Sequence, residues 1–215
     1  MPISKLVLCA VIGYAMGNIS SGILVGKAFG VKDIRKVGSG NAGTTNVLRS
    51  LGWLPSILTL LGDCLKGLIP SLIGLRLAGT AGLLTGGIAA IIGHDFPAAF
   101  GFKGGKGIAT SLGVLLVLDY RLALVLFVVQ FTAVAITRYM SFGSVINTLV
   151  FPFIVAILYH GRSDSRILVI GAIIMSALSL YGHRGNVIRL FRGEENKLDL
   201  KSIAEKSRSL RKKKE

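Results

Sequence analysis

The sequence predicts an all-α protein that crosses a membrane several times, and three observations support this fold class. Hydrophobic residues make up 52% of the 215 residues, charged residues make up only 16%, and the mean hydropathy is +0.67. Soluble domains of this length rarely reach such values. The hydrophobic residues also form long runs, separated by polar segments rich in glycine and basic residues. This pattern is typical of a polytopic membrane protein.

We predict seven transmembrane helices, some of them short. The first, residues 6–29, is too long for a signal peptide and lacks a cleavage site. Its glycines recur at near four-residue steps, a spacing that lets a neighbouring helix approach closely; they are Gly13, Gly17, Gly22 and Gly26. The other six spans are predicted at residues 54–75, 80–92, 108–118, 122–137, 142–159 and 167–181.

The distribution of lysine and arginine predicts the orientation of these helices. The loops and terminal segment on one side carry 18 of the 25 basic residues, and the other side carries five. Cytoplasmic loops of membrane proteins are enriched in lysine and arginine, so we expect the N-terminus outside and the C-terminus in the cytoplasm. The net charge of +15 would suggest nucleic-acid binding in a soluble protein. Here it is explained by basic cytoplasmic segments, and no nucleic acid is expected.

The chain divides into a membrane-embedded domain, residues 1–195, and a tail, residues 196–215. From residue 197 the tail holds eight basic and three acidic residues, and we expect it to be disordered and attracted to anionic lipid. Cys9 and Cys64 lie in apolar stretches with no spacing motif, so we expect them to be small buried hydrophobic residues.

The first unusual polar segment, residues 38–49, interleaves three glycines with hydroxyl and amide side chains. Such a segment can present backbone N–H groups and hydroxyls to phosphate oxygens, with Arg49 as a bidentate clamp. A solvated turn whose Ser or Asn residues cap a helix is the alternative.

The second span contains two ionisable residues. Asp63 and Lys66 are three residues apart on one predicted helix, so we expect them to neutralise each other. Charged residues inside a membrane often have a function, and an internal structural pair is the equally weighted alternative.

The next segment, residues 93–110, contains five glycines, Lys103, Lys106 and His94. Glycines let backbone N–H groups approach a ligand closely, so this loop resembles an anion cradle; a flexible basic loop is the alternative. It is not a Walker A motif, because Gly107 stands where Ser or Thr would hold magnesium. His94 can be a base, a phosphate donor, a helix cap or a buried structural histidine.

The last segment, residues 181–195, places His183, Asn186 and Arg189 near helical spacing, so one helical face can show all three. A basic helix end that complements the helix dipole and lipid headgroups is the alternative. All of these polar segments fall on the side predicted to be cytoplasmic.

Taken in order, SGNAGTTNVLR, GHDFPAAFGFKGGKGIAT and HRGNVIRLFRGEE resemble the signature segments of the bacterial acyl-phosphate–glycerol-3-phosphate acyltransferases, the PlsY family. The segment DCLKGLIP, residues 63–70, is also similar. Gly182 departs from the pattern, since arginine is common there.

The resemblance implies a multi-pass enzyme of the bacterial inner membrane with its active site on the cytoplasmic side. Its reaction would transfer a fatty acyl group from acyl phosphate to the 1-hydroxyl of glycerol 3-phosphate, giving lysophosphatidic acid and phosphate. No metal, nucleotide, other cofactor or obligate protein partner is implied. The motifs imply catalytic roles for Ser39, Arg49, His94, Lys106 and Asn186. They imply substrate binding by Gly40, Asn41, Asn46, Lys103, Gly104, Gly105, Gly107, Ser141, His183 and Arg189.

The group that removes the hydroxyl proton stays open between His94, His183 and a substrate phosphate. We favour the phosphate, because the sequence shows no carboxylate–histidine pair and no H-x4-D motif. A transporter or flippase for phosphorylated lipid precursors is the alternative function. The few polar residues on the predicted outer loops count against it.

Overall fold

The computed structural model describes residues 2–212, and their side chains to residue 210. In this part of the chain the regular structure is entirely helical. Two short 3₁₀ turns lie at Ile34–Lys36 and Ala98–Phe100. The α-helices are α1 (Ile3–Gly17), α2 (Ser21–Ala28), α3 (Thr44–Leu51), α4 (Trp53–Asp95), α5 (Ile108–Leu118), α6 (Tyr120–Thr137), α7 (Met140–Leu158), α8 (Ser165–Phe191) and α9 (Leu200–Lys212).

Five segments are long and apolar enough to cross a membrane. They are Ile3–Ala28, Trp53–Phe100, Tyr120–Thr137, Met140–Leu158 and Ser165–Phe191. Helix α5 is apolar but shorter. The prediction of an all-α membrane protein is therefore confirmed, while the count of seven spans and the orientation stay predictions.

Helix α4 contains a sharp turn in its middle. Ala78 and Gly79 have non-helical backbone angles, and Gly79 has φ +59° and ψ −149°, a conformation that favours glycine. The chain on the two sides of the turn packs together: a Cβ atom at Gly74 would lie 2.1 Å from the carbonyl oxygen of Gly82. Helix α4 is thus a hairpin, and its halves correspond to the predicted segments 54–75 and 80–92.

The glycines of α1 allow it to lie directly against the second half of α4. A Cβ atom at Gly13 would come 2.1 Å from the carbonyl oxygen of Gly86, and one at Gly17 would come 2.3 Å from that of Ala90. These distances leave no room for a side chain, so the close approach predicted from the glycine spacing is confirmed.

Apolar side chains fill the interior between α4, α5, α6, α7 and α8 and also cover the outer faces. The apolar core includes Leu83, Val114, Val155 and Leu168, each at most 2% exposed. Many large apolar residues on the outside stay exposed, such as Phe153 at 71%. Exposed apolar surface of this extent suits contact with lipid.

The expectation of a disordered tail is wrong for Leu200–Lys212, which forms α9. The Asp199 carboxylate accepts hydrogen bonds from the backbone N–H groups of Lys201 and Ser202, so it caps the helix. Ile203 is 1% exposed and packs with Leu48, so burial against α3 stabilises the segment. Residues 213–215 of the predicted tail lie outside the described part of the chain.

Candidate functional site

A cavity of about 540 Å³ lies where α3, α5, α6, α7 and α8 meet. It brings together residues from all three polar segments. The predicted site residues on its wall are Ser39, Gly40, Asn41, Asn46, Arg49, Lys106, Ser141, His183, Asn186 and Arg189. Side chains that are far apart in sequence therefore share one space.

The remaining predicted residues lie beside this cavity. Lys103, Gly104 and Gly105 line a smaller adjoining cavity of about 260 Å³, which also contacts Asn41 and Lys106. His94, near the end of α4, and Gly107, directly before α5, are buried and line neither cavity.

The first polar segment is held in shape by the side chain of Asn46, which is 1% exposed. Its Oδ1 accepts a hydrogen bond from the backbone N–H of Ser39 at 2.7 Å. Its Nδ2 donates to the carbonyl oxygens of Ile34, Val37 and Asn41 at 2.8–3.0 Å. These contacts show that Asn46 organises the loop that carries Ser39.

Two helices begin at the cavity. Gly43, Thr44 and Thr45 at the start of α3 and Ile108 and Ala109 at the start of α5 line its wall. The N-terminus of a helix carries partial positive charge and unpaired N–H groups, so it attracts anions. The fold therefore adds two helix N-termini to the basic side chains.

The glycine-rich loop folds tightly against the end of α4. The backbone N–H of Gly104 donates to the carbonyl oxygen of Asp95 at 3.2 Å, and that of Gly105 donates to the carbonyl oxygen of His94 at 3.0 Å. Gly107 has φ +72° and immediately precedes α5. Arg35, which was not among the predicted residues, lies just before the first polar segment and holds the loop beside it by donating to the carbonyl oxygens of Phe100 and Lys103.

His94 lies under this loop, against Gly105. A Cβ atom at Gly105 would lie 1.9 Å from His94 Nε2. On the other side of the ring, His94 Nδ1 lies 3.5 Å from Asp63 Oδ1. The expectation of no carboxylate–histidine pair is therefore wrong, because the hairpin of α4 brings these two residues together.

Asp63 also pairs with Lys66 at 2.9 Å, as predicted from their spacing, and both side chains are at most 4% exposed. Lys66 Nζ donates to the carbonyl oxygen of Ile19 at 2.8 Å. Ile19 lies in the break between α1 and α2, where a carbonyl lacks its helical partner. This interior cluster of Asp63, Lys66 and His94 links three parts of the fold.

The predicted face of α8 is present. His183, Asn186 and Arg189 all line the cavity. Lys106 Nζ donates to Asn186 Oδ1. Glu195 then joins two of these side chains: it accepts from Asn186 Nδ2 and from Arg189 Nε, both at 2.9 Å. Glu195 was not predicted; its only signal was an acidic residue in a basic segment.

Arg49 and Ser141 supply donors that the protein leaves free. Arg49 Nη2 donates to the carbonyl oxygen of Asn196 at 2.8 Å. Within residues 2–210, Arg49 Nε and Ser141 Oγ are buried and have no hydrogen-bond partner. Buried polar groups of proteins are normally paired, so these atoms are available to a ligand.

The basic side chains of the cavity repel one another. Burial lowers the pKa of the Lys106 ammonium to about 8; nearby Glu195 raises that pKa, while Arg189 and Arg49 lower it. Burial also lowers the pKa of Arg49, although a guanidinium remains charged at neutral pH. An anion bound here would relieve the excess positive charge.

The cavity continues between α5, α6, α7 and α8, where apolar side chains line it together with polar ones such as Asn147 and Thr148. The apolar lining includes Leu115, Leu126, Phe131, Phe151 and Met175. One cavity therefore combines cationic groups with a lining suited to a hydrocarbon chain. Among the described residues, no cluster of three His, Cys, Asp or Glu side chains could hold a metal ion.

Comparison with known proteins places this arrangement in a family. The model of a family described as glycerol-3-phosphate acyltransferase matches residues 7–193. A glycerol-3-phosphate acyltransferase of Clostridioides difficile (strain 630) is 42% identical over 207 residues, which cover 94% of this chain and 99% of that protein. One of Geobacter sulfurreducens is 43% identical over 200 residues, covering 91% and 98%.

Two solved structures have the same fold. Both are crystal structures of PlsY (YgiH), an integral membrane glycerol 3-phosphate acyltransferase, in a glycerol 3-phosphate form and a lysophosphatidic acid form. Their TM-scores are 0.84 and 0.82 and their identities are 36% and 34%. Each match covers 93% of this chain and 98% of the other. These matches give no support to a transporter or flippase, and the chain belongs to the glycerol-3-phosphate acyltransferase family.

Proposed function

We propose that this protein transfers a fatty acyl group from acyl phosphate to the 1-hydroxyl of glycerol 3-phosphate, giving lysophosphatidic acid and phosphate. The observation that carries the proposal is the single cavity with a cationic part and an apolar part. Glycerol 3-phosphate is small and anionic, and acyl phosphate joins an anion to a hydrocarbon chain. The relatives are named for acyl transfer to glycerol 3-phosphate, which supports the acceptor.

In the proposed reaction, cationic groups hold two negatively charged substrates side by side. Arg49, Lys106 and Arg189 line the space and offset the repulsion between the two phosphates. The N-termini of α3 and α5 contribute further N–H donors. Holding both reactants in reacting geometry lowers the barrier, because a bimolecular step becomes effectively unimolecular.

The chemical step needs no covalent enzyme intermediate. The hydroxyl oxygen of the acceptor attacks the acyl carbon, and the bond between that carbon and the phosphate oxygen breaks. Phosphate leaves with the bonding electrons. Donors such as the hydroxyl of Ser39 and the ammonium of Lys106 stabilise charge on the carbonyl oxygen and the departing phosphate.

A phosphate oxygen of a bound substrate receives the hydroxyl proton in this proposal. His94 does not line the cavity, which counts against a direct role. His183 does line it and is the alternative. The Nδ1 atom of His183 lies 2.9 Å from the carbonyl oxygen of Ser179. A carbonyl only accepts hydrogen bonds, so Nδ1 carries the hydrogen and Nε2 is the nitrogen free to take a proton.

The location of the site follows from the predicted topology. We propose seven spans in the bacterial inner membrane, with the N-terminus outside and the cationic part of the cavity at the cytoplasmic face. The turn at Ala78–Gly79 and the excess of basic residues in the segments that form the site support this arrangement. Labelling single cysteines in intact cells tests it: Lys103→Cys should be shielded from an impermeant reagent, and Arg162→Cys should react. The opposite pattern contradicts the topology.

Phosphate release from purified protein tests the reaction. Protein in detergent is mixed with palmitoyl phosphate and glycerol 3-phosphate, without ATP and with EDTA present. We expect equal amounts of phosphate and lysophosphatidic acid, and no phosphate when glycerol 3-phosphate is omitted. Replacing palmitoyl phosphate by palmitoyl-CoA is the matched control. Acyl transfer from the thioester alone would contradict the proposed donor.

A further inference from the structure

We propose that residues 196–212, which we name the C-terminal strap, position Arg49 for the reaction proposed above, with Lys206 as the positioning residue. The strap contacts Arg49 at two points. Lys206 Nζ donates to the backbone carbonyl oxygen of Arg49 at 2.6 Å. Arg49 Nη2 donates to the backbone carbonyl oxygen of Asn196 at 2.8 Å. The strap thus holds both the main chain and the guanidinium of this residue.

Helix α3 depends on such support because it is short. It has eight residues and ends at Leu51, and the next residue, Gly52, has φ +83°. The last four carbonyl groups of a helix have no partner within it, and a helix of this length is marginal alone. The ammonium of Lys206 satisfies one of these carbonyls and complements the negative end of the helix dipole.

The strap is anchored by apolar and polar contacts along its length. Ile203 is 1% exposed and packs against Leu48 of α3. At one end the N–H of Leu198 donates to the carbonyl oxygen of Arg138, between α6 and α7. Farther along, Ser207 Oγ accepts from the N–H of Trp53, the first residue of α4. The strap therefore fixes α3 relative to the helices that form the cavity.

This anchoring determines which donors Arg49 offers to a ligand. Because Nη2 is bound to Asn196, the guanidinium cannot rotate freely. Its Nε is left buried without a partner among the described residues, and Arg49 lines the cavity. The family match ends at residue 193, so the strap follows the matched segment and acts on it from outside.

The first test replaces Lys206 and measures substrate binding, which does not require turnover. Dissociation constants are measured for glycerol 3-phosphate and for a palmitoyl phosphonate analogue of the donor. Losing one hydrogen bond of this kind is expected to weaken at least one of them about 5–10-fold in Lys206→Met. Lys206→Arg should stay within about twofold of the unaltered protein. So should Lys201→Met, which removes the same charge from an exposed position of α9.

The second test asks whether the effect passes through Arg49. In an Arg49→Lys background, Lys206→Met should add less than about a twofold loss of binding, because the group it positions is already altered. An equal further loss in that background would overturn the inference, and so would unchanged binding in Lys206→Met.

A third variant tests whether the loss of binding comes from the strap or only from the loss of the positive charge of Lys206. Ile203→Ala loosens the strap without removing a charge, and it should weaken the same dissociation constant while the thermal unfolding midpoint shows that the protein remains folded. Unchanged binding in this variant would contradict positioning by the strap. Failure of the proposed reaction would appear differently, as absence of phosphate release by the unaltered protein.

Discussion

Two clusters of charged residues in this protein differ in how their charges are balanced. In the interior cluster, Asp63 lies against Lys66 and His94, and all three side chains are at most 6% exposed. In the cavity, Arg189 pairs with the Glu195 carboxylate, and among the described residues neither Arg49 nor Lys106 forms an ion pair. Asp63, the other carboxylate on the cavity wall, is already paired with Lys66. The interior cluster is compensated within the protein, whereas the cavity keeps an excess of positive charge.

This difference in charge balance distinguishes residues that stabilise the fold from residues that bind a ligand. A buried charge must be paired, because its desolvation costs several kcal/mol. Cations that no protein carboxylate neutralises, at a cavity that a ligand can enter, are neutralised when an anion binds. The interior cluster is therefore expected to govern stability and the cavity to govern binding and rate.

Removing the ammonium of Lys106 should have the largest effect on activity. We expect Lys106→Ala to lower kcat/KM on the order of 10³-fold, as for loss of a charged donor to the transition state. The thermal unfolding midpoint should hardly change, because relieving repulsion offsets lost contacts. Lys32→Ala is the control, since this exposed lysine lines neither cavity. Equal losses in both variants would contradict the assignment.

Breaking the interior cluster should instead lower stability. Asp63→Asn leaves Lys66 without its buried partner, and we expect a loss of about 3 kcal/mol in the free energy of unfolding. Reversible unfolding in mixed micelles measures it. The double variant Asp63→Asn with Lys66→Met should recover part of that loss, and a stability equal to that of Asp63→Asn alone would argue against the pair.

The glycine-rich loop connects the two clusters, because it rests on His94. A Cβ atom at Gly104 would lie 1.9 Å from the backbone carbonyl oxygen of His94, which cannot move aside. We expect Gly104→Ala to raise the KM for glycerol 3-phosphate roughly tenfold by displacing Lys106. Unchanged KM in Gly104→Ala would show that the loop adapts.

The smallest expected effect is a dependence on pH. The pKa of Lys106 is lowered to about 8, so this side chain loses its charge as the pH rises through that value. Between pH 7 and pH 9 the KM for a phosphate substrate should therefore rise by roughly a few-fold. Lys106→Arg keeps its charge over this range. Its KM should be flat, and the same slope in both proteins would assign the effect to another group.

The lowered pKa of Lys106 also affects stability, and a rise in pH changes stability in the opposite direction to substrate binding. Between about pH 8 and 10.5 the unfolded chain binds a proton at Lys106 that the folded protein has released. Stability rises with pH wherever the unfolded state binds more protons. This group therefore makes unfolding less favourable as the pH increases through that window, while substrate binding weakens.

Local patterns in the sequence predicted much of the fold and of the site. Asp63 and Lys66 are three residues apart, and so are His183 and Asn186, so helix geometry alone places each pair on one face. The glycine spacing of α1 likewise predicted its close packing. Such features depend on neighbours along the chain, which the sequence shows directly.

Contacts set by tertiary structure were missed. His94 meets Asp63 only because α4 turns back at Ala78–Gly79. Glu195 reaches Asn186 because the chain reverses after α8. The strap is ordered because Ile203 finds an apolar surface on α3. The basic composition of this segment predicts disorder, because the sequence does not show the apolar surface of α3 against which it packs.

The continuity of the cavity has a consequence for turnover. In the proposed reaction, lysophosphatidic acid retains the phosphate of the acceptor and the hydrocarbon chain of the donor. It therefore occupies the cationic and the apolar parts at once, and competes with both starting compounds for the same space. This lipid must therefore leave the cavity for the surrounding bilayer before both starting compounds can bind again.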